Sequence, residues 1–286
     1  MISCSNIIAK LYGEKYYKKV YLSTPSIFTE NIIVDYRVED GRYILPITVD
    51  GNKLNFMFDT GARTSLNKNI VLYNYTSGTI INKYDIHNTK EASELINYDL
   101  ELGNMKIIKM PIFRSDFNFL KTHISTNNIE LSGILGSNIL NQGIFYFDNT
   151  VNKLTISKTF NDLNILDSYE KLPIKIKMGQ LYLQVNREWL ILDTGFNGYI
   201  YITKKSKLIK GATLISDTII NRKALYSSKK TKVEKYNKKI MIGSKQYNTE
   251  IQCDTENKMT NVIGTKFLSL NFAIDYKNNF IYLIKK

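Results

Sequence analysis

The hydrophobic residues of this chain lie in short runs separated by polar and turn-forming residues. Residues 43–49 and 54–58 are two such runs, and between them stand Asp50 and Gly51, a pair that favours a tight hairpin turn. Ile, Val, Tyr and Phe recur in these runs, whereas the helix former Ala is scarce. The pattern therefore predicts an all-β protein built largely from hairpins.

The order of these runs is repeated along the chain. A strand, a turn and a second strand end at Asp59-Thr60-Gly61 in the first half and at Asp193-Thr194-Gly195 in the second. Further on, each half contains two apolar residues followed by a glycine, at 134–136 and 262–264. A shared order of this kind indicates an internal duplication. The predicted units are an N-terminal extension (1–40), an N-terminal lobe (41–162) and a C-terminal lobe (168–286).

The charge of the chain raises the question of an anionic partner. Lys and Arg number 39 against 26 Asp and Glu, which gives a net charge of +13. Most of the cations are lysines spread along the chain, and no stretch interleaves basic and aromatic residues as RNA-binding segments do. We therefore expect a solvated basic surface and no nucleic-acid partner. A Lys-rich nucleic-acid binder stays open as an alternative, and it predicts steeply salt-dependent binding.

Few residues are available for metal or nucleophilic chemistry. The two histidines, His87 and His123, are isolated, and so are the two cysteines, Cys4 and Cys253. This spacing fits neither a metal site nor a disulfide framework. Serine and cysteine hydrolases need a histidine base, and neither histidine lies in such a motif. We expect no metal and no cofactor.

The chain contains no run approaching the roughly 20 apolar residues of a membrane-spanning helix. No transmembrane segment is predicted, and the chain as written is expected to be soluble. Residues 1–6 resemble the end of a bacterial lipoprotein signal, in which Cys4 would carry the lipid. A cell-envelope lipoprotein is therefore an alternative if the true start lies upstream. The compartment itself is not indicated.

The duplicated Asp-Thr-Gly motif has a specific chemical meaning. Each copy ends an apolar strand, so the strand delivers a carboxylate to a tight loop in which glycine permits close backbone approach. Two such loops facing each other would bring Asp59 and Asp193 within hydrogen-bond distance. Carboxyl groups that close share one proton, so one can take a proton from water while the other polarises a carbonyl. The pair is predicted to hydrolyse amides without a metal, a histidine or a nucleophilic side chain.

Residues 56–62 and 133–136 resemble the retropepsin-type aspartic peptidases, and the paired copies in one chain resemble the bilobal pepsin-like enzymes. The resemblance covers roughly residues 43–286. It implies two similar β-barrel lobes related by pseudo-twofold symmetry, with the active site between them. It also implies that Asp59 and Asp193 are catalytic and that the hydroxyls of Thr60 and Thr194 interlock the two loops. The residues implied to support the active-site loops are Thr60, Gly61, Gly136, Thr194, Gly195 and Gly264.

Family members cover the cleft with one or two hairpin flaps. The candidate flaps here lie around 84–94 and 217–230, and they lack the glycine usual at a flap tip. Tyr84 and Tyr226 are candidates for the flap tyrosine of pepsin-like enzymes, although ordinary surface or cross-strand tyrosines are the simpler interpretation. The chain also departs from the family after Gly195, where Phe196 replaces a small residue, and it lacks the pepsin-like disulfides.

These observations predict an aspartic endopeptidase that binds an extended polypeptide between its lobes and acts as a monomer. The alternative is a catalytically inactive peptide-binding or scaffold protein on the same fold. Because drift in an inactive protein would often remove one of the two aspartates, the intact pair favours the enzyme.

Overall fold

The computed structural model describes residues 26–73, 75–84, 90–117, 130–163, 165, 168–223, 228–256, 260–268 and 271–284. In these ranges the chain forms strands and a few short 3-10 helices, so the predicted all-β class is confirmed. Cys4, His87, His123 and Tyr226 lie outside the described residues.

The strands are short in the body of the protein and longest in a few hairpins. Those of the first half are β1 (Ser26–Ile27), β2 (Ile32–Asp35), β3 (Arg37–Glu39), β4 (Arg42–Val49), β5 (Asn52–Asp59), β6 (Ser65–Asn67), β7 (Thr79–Tyr84), β8 (Lys90–Leu102), β9 (Met105–Ser115), β10 (Gly133–Gly136), β11 (Ile144–Asp148) and β12 (Lys153–Ser157).

Those of the second half are β13 (Tyr169–Lys177), β14 (Gln180–Val185), β15 (Glu188–Leu192), β16 (Ile200–Thr203), β17 (Thr213–Lys223), β18 (Ser228–Ile242), β19 (Lys245–Asp254), β20 (Val262–Ile263), β21 (Phe272–Asp275) and β22 (Phe280–Ile284). The 3-10 helices are η1 (Ser137–Gln142), η2 (Asn161–Leu163), η3 (Lys207–Ile209) and η4 (Thr265–Leu268).

Local sequence explains many of these elements. Asp50 and Gly51 both have positive φ angles, 51° and 75°, and they form the predicted turn between β4 and β5. Such angles suit a two-residue turn whose twist matches that of the flanking strands. Along β13 buried Leu172 and Ile174 alternate with exposed neighbours, as expected for a half-buried strand. By contrast, all four residues of β10 are buried.

The first of two sheets contains a ring of strands. Its strands follow the order β1-β9-β6-β10-β5-β4-β8-β7, and β3 pairs with β4. A further pairing between β8 and β9 closes β9, β6, β10, β5, β4 and β8 into a ring. This barrel-like closure leaves β7 at an edge, paired with β8 alone among the described strands.

The second sheet has 13 strands and joins the two halves of the chain. Its order is β17-β18-β19-β16-β20-β15-β14-β13-β22-β21-β11-β12-β2. The junction is the antiparallel pair β11 and β21, in which Phe147 lies opposite Phe272. These two rings stack with their centroids 4.8 Å apart, inside a hydrophobic core that both sheets share. Each fully buried phenylalanine stabilises the fold by about 1.5–3 kcal/mol.

The strands that end in Asp-Thr-Gly loops have the same kind of neighbour in both halves. β10 pairs in parallel with β5 and sets Gly136 opposite Asp59. β20 pairs in parallel with β15 and sets Ile263 opposite Leu192, the residue before Asp193. In each half, the short strand that contains the two apolar residues of the apolar-apolar-Gly motif therefore lies beside the strand that leads to the aspartate.

Two long hairpins, β7–β8 and β17–β18, coincide with the candidate flap regions. The outer strand β17 is exposed over most of residues 213–221. Tyr84 is the last residue of β7 and lies opposite Lys90, while its side chain is outside what the structure describes. The proposed flap role of Tyr84 and Tyr226 thus stays a prediction.

Candidate active site

The two Asp-Thr-Gly loops hold their carboxylates in the same way. Asp59 is the last residue of β5, and its Oδ1 accepts a hydrogen bond from the backbone N–H of Gly61 at 2.8 Å. Asp193 directly follows β15, and its Oδ1 accepts the equivalent bond from Gly195 at 2.9 Å. The tight turn after each strand therefore orients each carboxyl group through its own backbone.

The structure brings the two carboxyl groups into contact. The side chains of Asp59 and Asp193 are hydrogen-bonded to each other. A Cβ atom on Gly61 would lie only 2.8 Å from Cγ of Asp193, and one on Gly195 only 2.5 Å from Oδ2 of Asp59. Each glycine thus faces the carboxyl group of the opposite loop, and any larger residue at either position would push the pair apart.

Burial and mutual repulsion change the acidity of this pair. Asp59 is buried, and burial together with the charge of Asp193 raises its pKa well above the ordinary value for aspartate. The backbone N–H groups of Gly61 and Ala62 act in the opposite direction but do not cancel these effects. Because two carboxylates this close cannot both ionise cheaply, the pair retains one proton to a higher pH than an isolated carboxyl would.

This raised pKa predicts a pH-dependent stability difference between the wild type and Asp59→Asn. A carboxyl whose pKa is higher in the folded state stabilises the fold fully below its unfolded pKa, and that contribution is lost as the pH rises through the folded pKa. We therefore expect the wild type to lose unfolding free energy relative to Asp59→Asn as the pH rises from about 4, the ordinary pKa of an aspartate, into the neutral and alkaline range. Urea denaturation of both proteins across this range measures the difference. If the difference in unfolding free energy does not change with pH, or if the wild type becomes relatively more stable as the pH rises, the raised pKa of Asp59 is contradicted.

Beneath the carboxyl pair, the two threonines form a reciprocal set of four hydrogen bonds. The Oγ1 of Thr60 donates to the carbonyl of Leu192 at 2.6 Å and accepts from the N–H of Thr194 at 3.1 Å. The Oγ1 of Thr194 donates to the carbonyl of Phe58 at 3.0 Å and accepts from the N–H of Thr60 at 2.9 Å. Both threonines are fully buried. Their hydroxyls connect each loop to the strand that carries the other.

Gly136 and Gly264 support the two loops from the neighbouring strands. A Cβ on Gly136 would lie 2.3 Å from the backbone carbon of Arg63. One on Gly264 would lie 2.3 Å from the carbonyl oxygen of Phe196. Both contacts are with backbone, which cannot move aside as a flexible side chain can. These glycines therefore permit the close approach between β10 or β20 and the adjoining loop.

The first loop has an extra side-chain network that the second lacks. The N–H and the hydroxyl of Thr64 both donate to Oδ1 of Asn138, at 3.0 and 2.7 Å, and the N–H of Gly136 donates to Oγ1 of Thr64. In the second loop, the N–H of Gly264 donates to the backbone carbonyl of Tyr199 instead. The loop in which Phe196 replaces the small residue after Gly195 is thus supported by a hydrogen bond to backbone, whereas the first loop is supported by a hydrogen bond to a side chain.

Sequence reasoning missed two residues that connect one half of the site to the other. The Nε of Arg42 donates to the carbonyl of Gly195 at 3.1 Å, and the Nε2 of Gln180 lies 3.5 Å from the carbonyl of Gly61. Arg42 is the first residue of β4 and Gln180 the first of β14, the strands that precede β5 and β15. Extending the repeat alignment to the start of these strands could have found them.

The described residues provide no group of three or more His, Cys, Asp or Glu side chains able to hold a metal. Cys253 is buried in β19 without a disulfide, and burial raises the pKa of its thiol to about 11. No helix in the described ranges is long and apolar enough to cross a membrane. No protein-family model matches the chain, and no curated protein matches it.

Proposed function

We propose that this protein is an aspartic endopeptidase whose catalytic groups are Asp59 and Asp193. One observation carries the proposal: the buried carboxyl group of Asp59 and the half-buried one of Asp193, from equivalent loops, are hydrogen-bonded to each other, and burial and repulsion raise the pKa of Asp59. Perturbed carboxyl pairs of this kind are typical of sites that divide acid and base roles between two groups.

We further propose that the chain consists of two similar lobes, 41–162 and 168–286, related by pseudo-twofold symmetry, with the active site between them. The reciprocal hydrogen bonds of Thr60 and Thr194 support this arrangement, because exchanging the two loops leaves the pattern unchanged. So does the parallel strand beside each aspartate-bearing strand. The strand pair β11 and β21 would then lie on the symmetry axis.

The proposed reaction begins with one proton on the carboxyl pair. The ionised carboxylate removes a proton from a bound water, whose oxygen forms a bond to the carbonyl carbon of the substrate. The protonated carboxyl hydrogen-bonds the carbonyl oxygen and gives it the proton as negative charge develops there. In the second step, the carboxyl that took the proton from water returns it to the amide nitrogen as the C–N bond breaks, and the other recovers its own from the tetrahedral intermediate. The pair ends with the single proton it began with.

An extended polypeptide is the proposed substrate. β7 and β17, the outer strands of the two long hairpins, each pair with a single neighbour among the described strands. Such hairpins can lie over an extended chain and pair with its backbone, while pockets contact alternate side chains. This mode of binding would hold a scissile amide against Asp59 and Asp193.

Cleavage of a complex peptide library tests the proposal. The library is incubated with the protein between about pH 3 and about pH 8, and the products are mapped by mass spectrometry. We expect cuts at discrete sites. A peptide analogue with a hydroxyl group in place of the scissile amide should block these cuts, because the analogue resembles the carbonyl after water has attacked it. A protein that binds library peptides but cuts none across this range would instead be the inactive peptide-binding protein on the same fold.

A further inference from the structure

The positive charge of the chain is confined to its second half. Residues 1–162 contain 17 Lys and Arg against 16 Asp and Glu, whereas residues 168–286 contain 22 against 9. The excess of 13 cations in the second half equals the net charge of the whole chain. A field of one sign over part of a surface attracts ligands of the opposite sign. The half that carries Asp193 is therefore the half suited to an anionic ligand.

The strand register shows which parts of the two long hairpins correspond. In each half, β6 or β16 pairs with the strand that carries the apolar-apolar-Gly motif. Counted across the sheet from that motif, Leu95 of β8 and Lys235 of β18 occupy the same place. Two residues nearer the tips, Ser93 therefore corresponds to Val233. We define the hairpin ends as the segments that begin at these residues and their cross-strand partners, 81–93 in the first hairpin and 218–233 in the second.

The two hairpin ends differ in length and in charge. The second contains two more residue pairs than the first, Arg222 opposite Lys229 and Lys223 opposite Ser228. It has five Lys and Arg and no Asp or Glu, whereas the first has two of each. Like charges placed directly opposite each other on neighbouring strands are destabilising. An anion bound at the second hairpin end would relieve this repulsion.

The alternation along β18 places Lys229 on the side of the hairpin that faces the second aspartate loop. Thr231 and Val233 are buried, and Val233 belongs to the same apolar cluster as Phe196, the residue after the second Asp-Thr-Gly motif. Alternate residues of a strand share a face, so Lys229 lies on the face of these two residues and Lys230 lies on the opposite face. Both lysines are exposed. The apolar base of this face thus continues into a cationic end.

The acidic residues nearer the base of this hairpin have cationic partners of their own. Three ion pairs occur there, Asp217 with Lys232 at 3.4 Å, Glu234 with Lys204 at 3.3 Å, and Glu250 with Lys235 at 3.7 Å. No ion pair within the described ranges includes Lys229 or Lys230. These two exposed cations are therefore available to a ligand.

We propose that the second hairpin end selects substrates with acidic residues on one side of the scissile bond. An extended polypeptide beneath both hairpins has the residues on one side of the cut under 218–233 and those on the other side under 81–93. Lys229 stands four residues, about 13 Å, beyond Val233. An extended substrate covers that distance in about four residues, so the acidic residues lie within roughly four positions of the cut. This inference rests on the proposed peptidase function.

The size of the preference follows from the exposure of the charges. One solvent-exposed ion pair changes an equilibrium by at most about fivefold, and salt at about 1 M screens it because the Debye length falls to about 3 Å. We expect kcat/KM for a peptide with two aspartates on the selected side to exceed that of its asparagine counterpart by about five- to tenfold at low salt. This acid preference, the ratio of the two values, should approach one at about 1 M salt. Aspartates on the other side of the cut should give a ratio near one, since the first hairpin end has no net charge.

The test measures the acid preference of the wild type and of variants at exposed lysines. Lys229→Glu should lower it to about two or less, and Lys229→Gln should give an intermediate value. Lys230→Glu is the matched control, because it makes the same change of charge on the opposite face and should lower the preference less. Lys277→Glu, in the turn between β21 and β22, should leave the wild-type value unchanged.

The outcomes separate the inference from the function on which it rests. A wild type that cuts nothing contradicts the proposed function and the inference together. Cuts with no acid preference at low salt contradict the inference alone, and so does an equal loss of preference in all three glutamate variants, which would reflect net charge only. Binding to RNA or to anionic phospholipid vesicles that Lys229→Glu abolishes, with the acid preference unchanged, would assign these cations to another anion and overturn the inference.

Discussion

Asp59→Asn and Asp193→Asn should each lower kcat for peptide hydrolysis by about a thousandfold or more. Asparagine has almost the shape of aspartate, but it can neither ionise nor accept a proton from water at these pH values. Members of a catalytic unit that act together are grossly non-additive, so removing either one costs nearly as much as removing both. The double variant should therefore be little worse than either single variant. The measurement is kcat on one peptide chosen from the library cuts.

Asp148→Asn is the matched control for this experiment. Asp148 ends β11, and its Oδ1 accepts a hydrogen bond from the N–H of Thr150, two residues later, at 3.0 Å. Asp59 accepts the same kind of hydrogen bond from Gly61, also two residues later, but Asp148 does not belong to the carboxyl pair. We expect this variant to retain wild-type kcat. A folded Asp59→Asn or Asp193→Asn protein that keeps more than about a tenth of wild-type kcat would refute the joint role of the pair.

The elements that sequence reasoning predicted well are those encoded by neighbouring residues. The hairpin turn at Asp50 and Gly51 needs only two residues that tolerate positive φ angles, and both have them. The strand that leads to each aspartate follows from an apolar run ending in Asp-Thr-Gly. Because both Asp-Thr-Gly loops carry the same local signal, their similar geometry could be predicted from the sequence.

Contacts between distant parts of the chain were not predictable in the same way. The pairing of β11 with β21 joins residues more than 120 positions apart, and the sequence of neither strand indicates which strand it pairs with. Arg42 was likewise overlooked, because its role depends on the carbonyl of Gly195 in the other half of the chain. A single cation before an apolar strand normally indicates only a solvated strand end.

The size difference between Ala62 and Phe196 was visible in the sequence, but its meaning was not. The sequence shows only that a phenylalanine follows the second Asp-Thr-Gly motif where an alanine follows the first. The surroundings of Phe196 depend on Tyr182 and Tyr201, which come from two other strands and belong to the same cluster.

Thr60→Val and Thr194→Val should each lower the free energy of unfolding by about 2–5 kcal/mol. Valine preserves the shape of threonine but removes the hydroxyl. In Thr60→Val the buried N–H of Thr194 and the buried carbonyl of Leu192 lose their partner, at about 1–3 kcal/mol for each unsatisfied group. Thr194→Val has the same effect on the N–H of Thr60 and the carbonyl of Phe58. Urea denaturation at a fixed pH measures both losses.

The comparison between these two variants is more informative than either value. The four hydrogen bonds divide equally between the two hydroxyls, so the two losses should agree within about 1 kcal/mol. The controls Thr60→Ser and Thr194→Ser keep the hydroxyl and should cost only about 1 kcal/mol each, for the missing methyl group. Because the same bonds hold the carboxyl groups in register, each valine variant should also lose at least tenfold in kcat, about 1.4 kcal/mol of transition-state stabilisation. A large loss of stability from one valine variant and none from the other would mean that the threonines do not connect the loops as an equal pair.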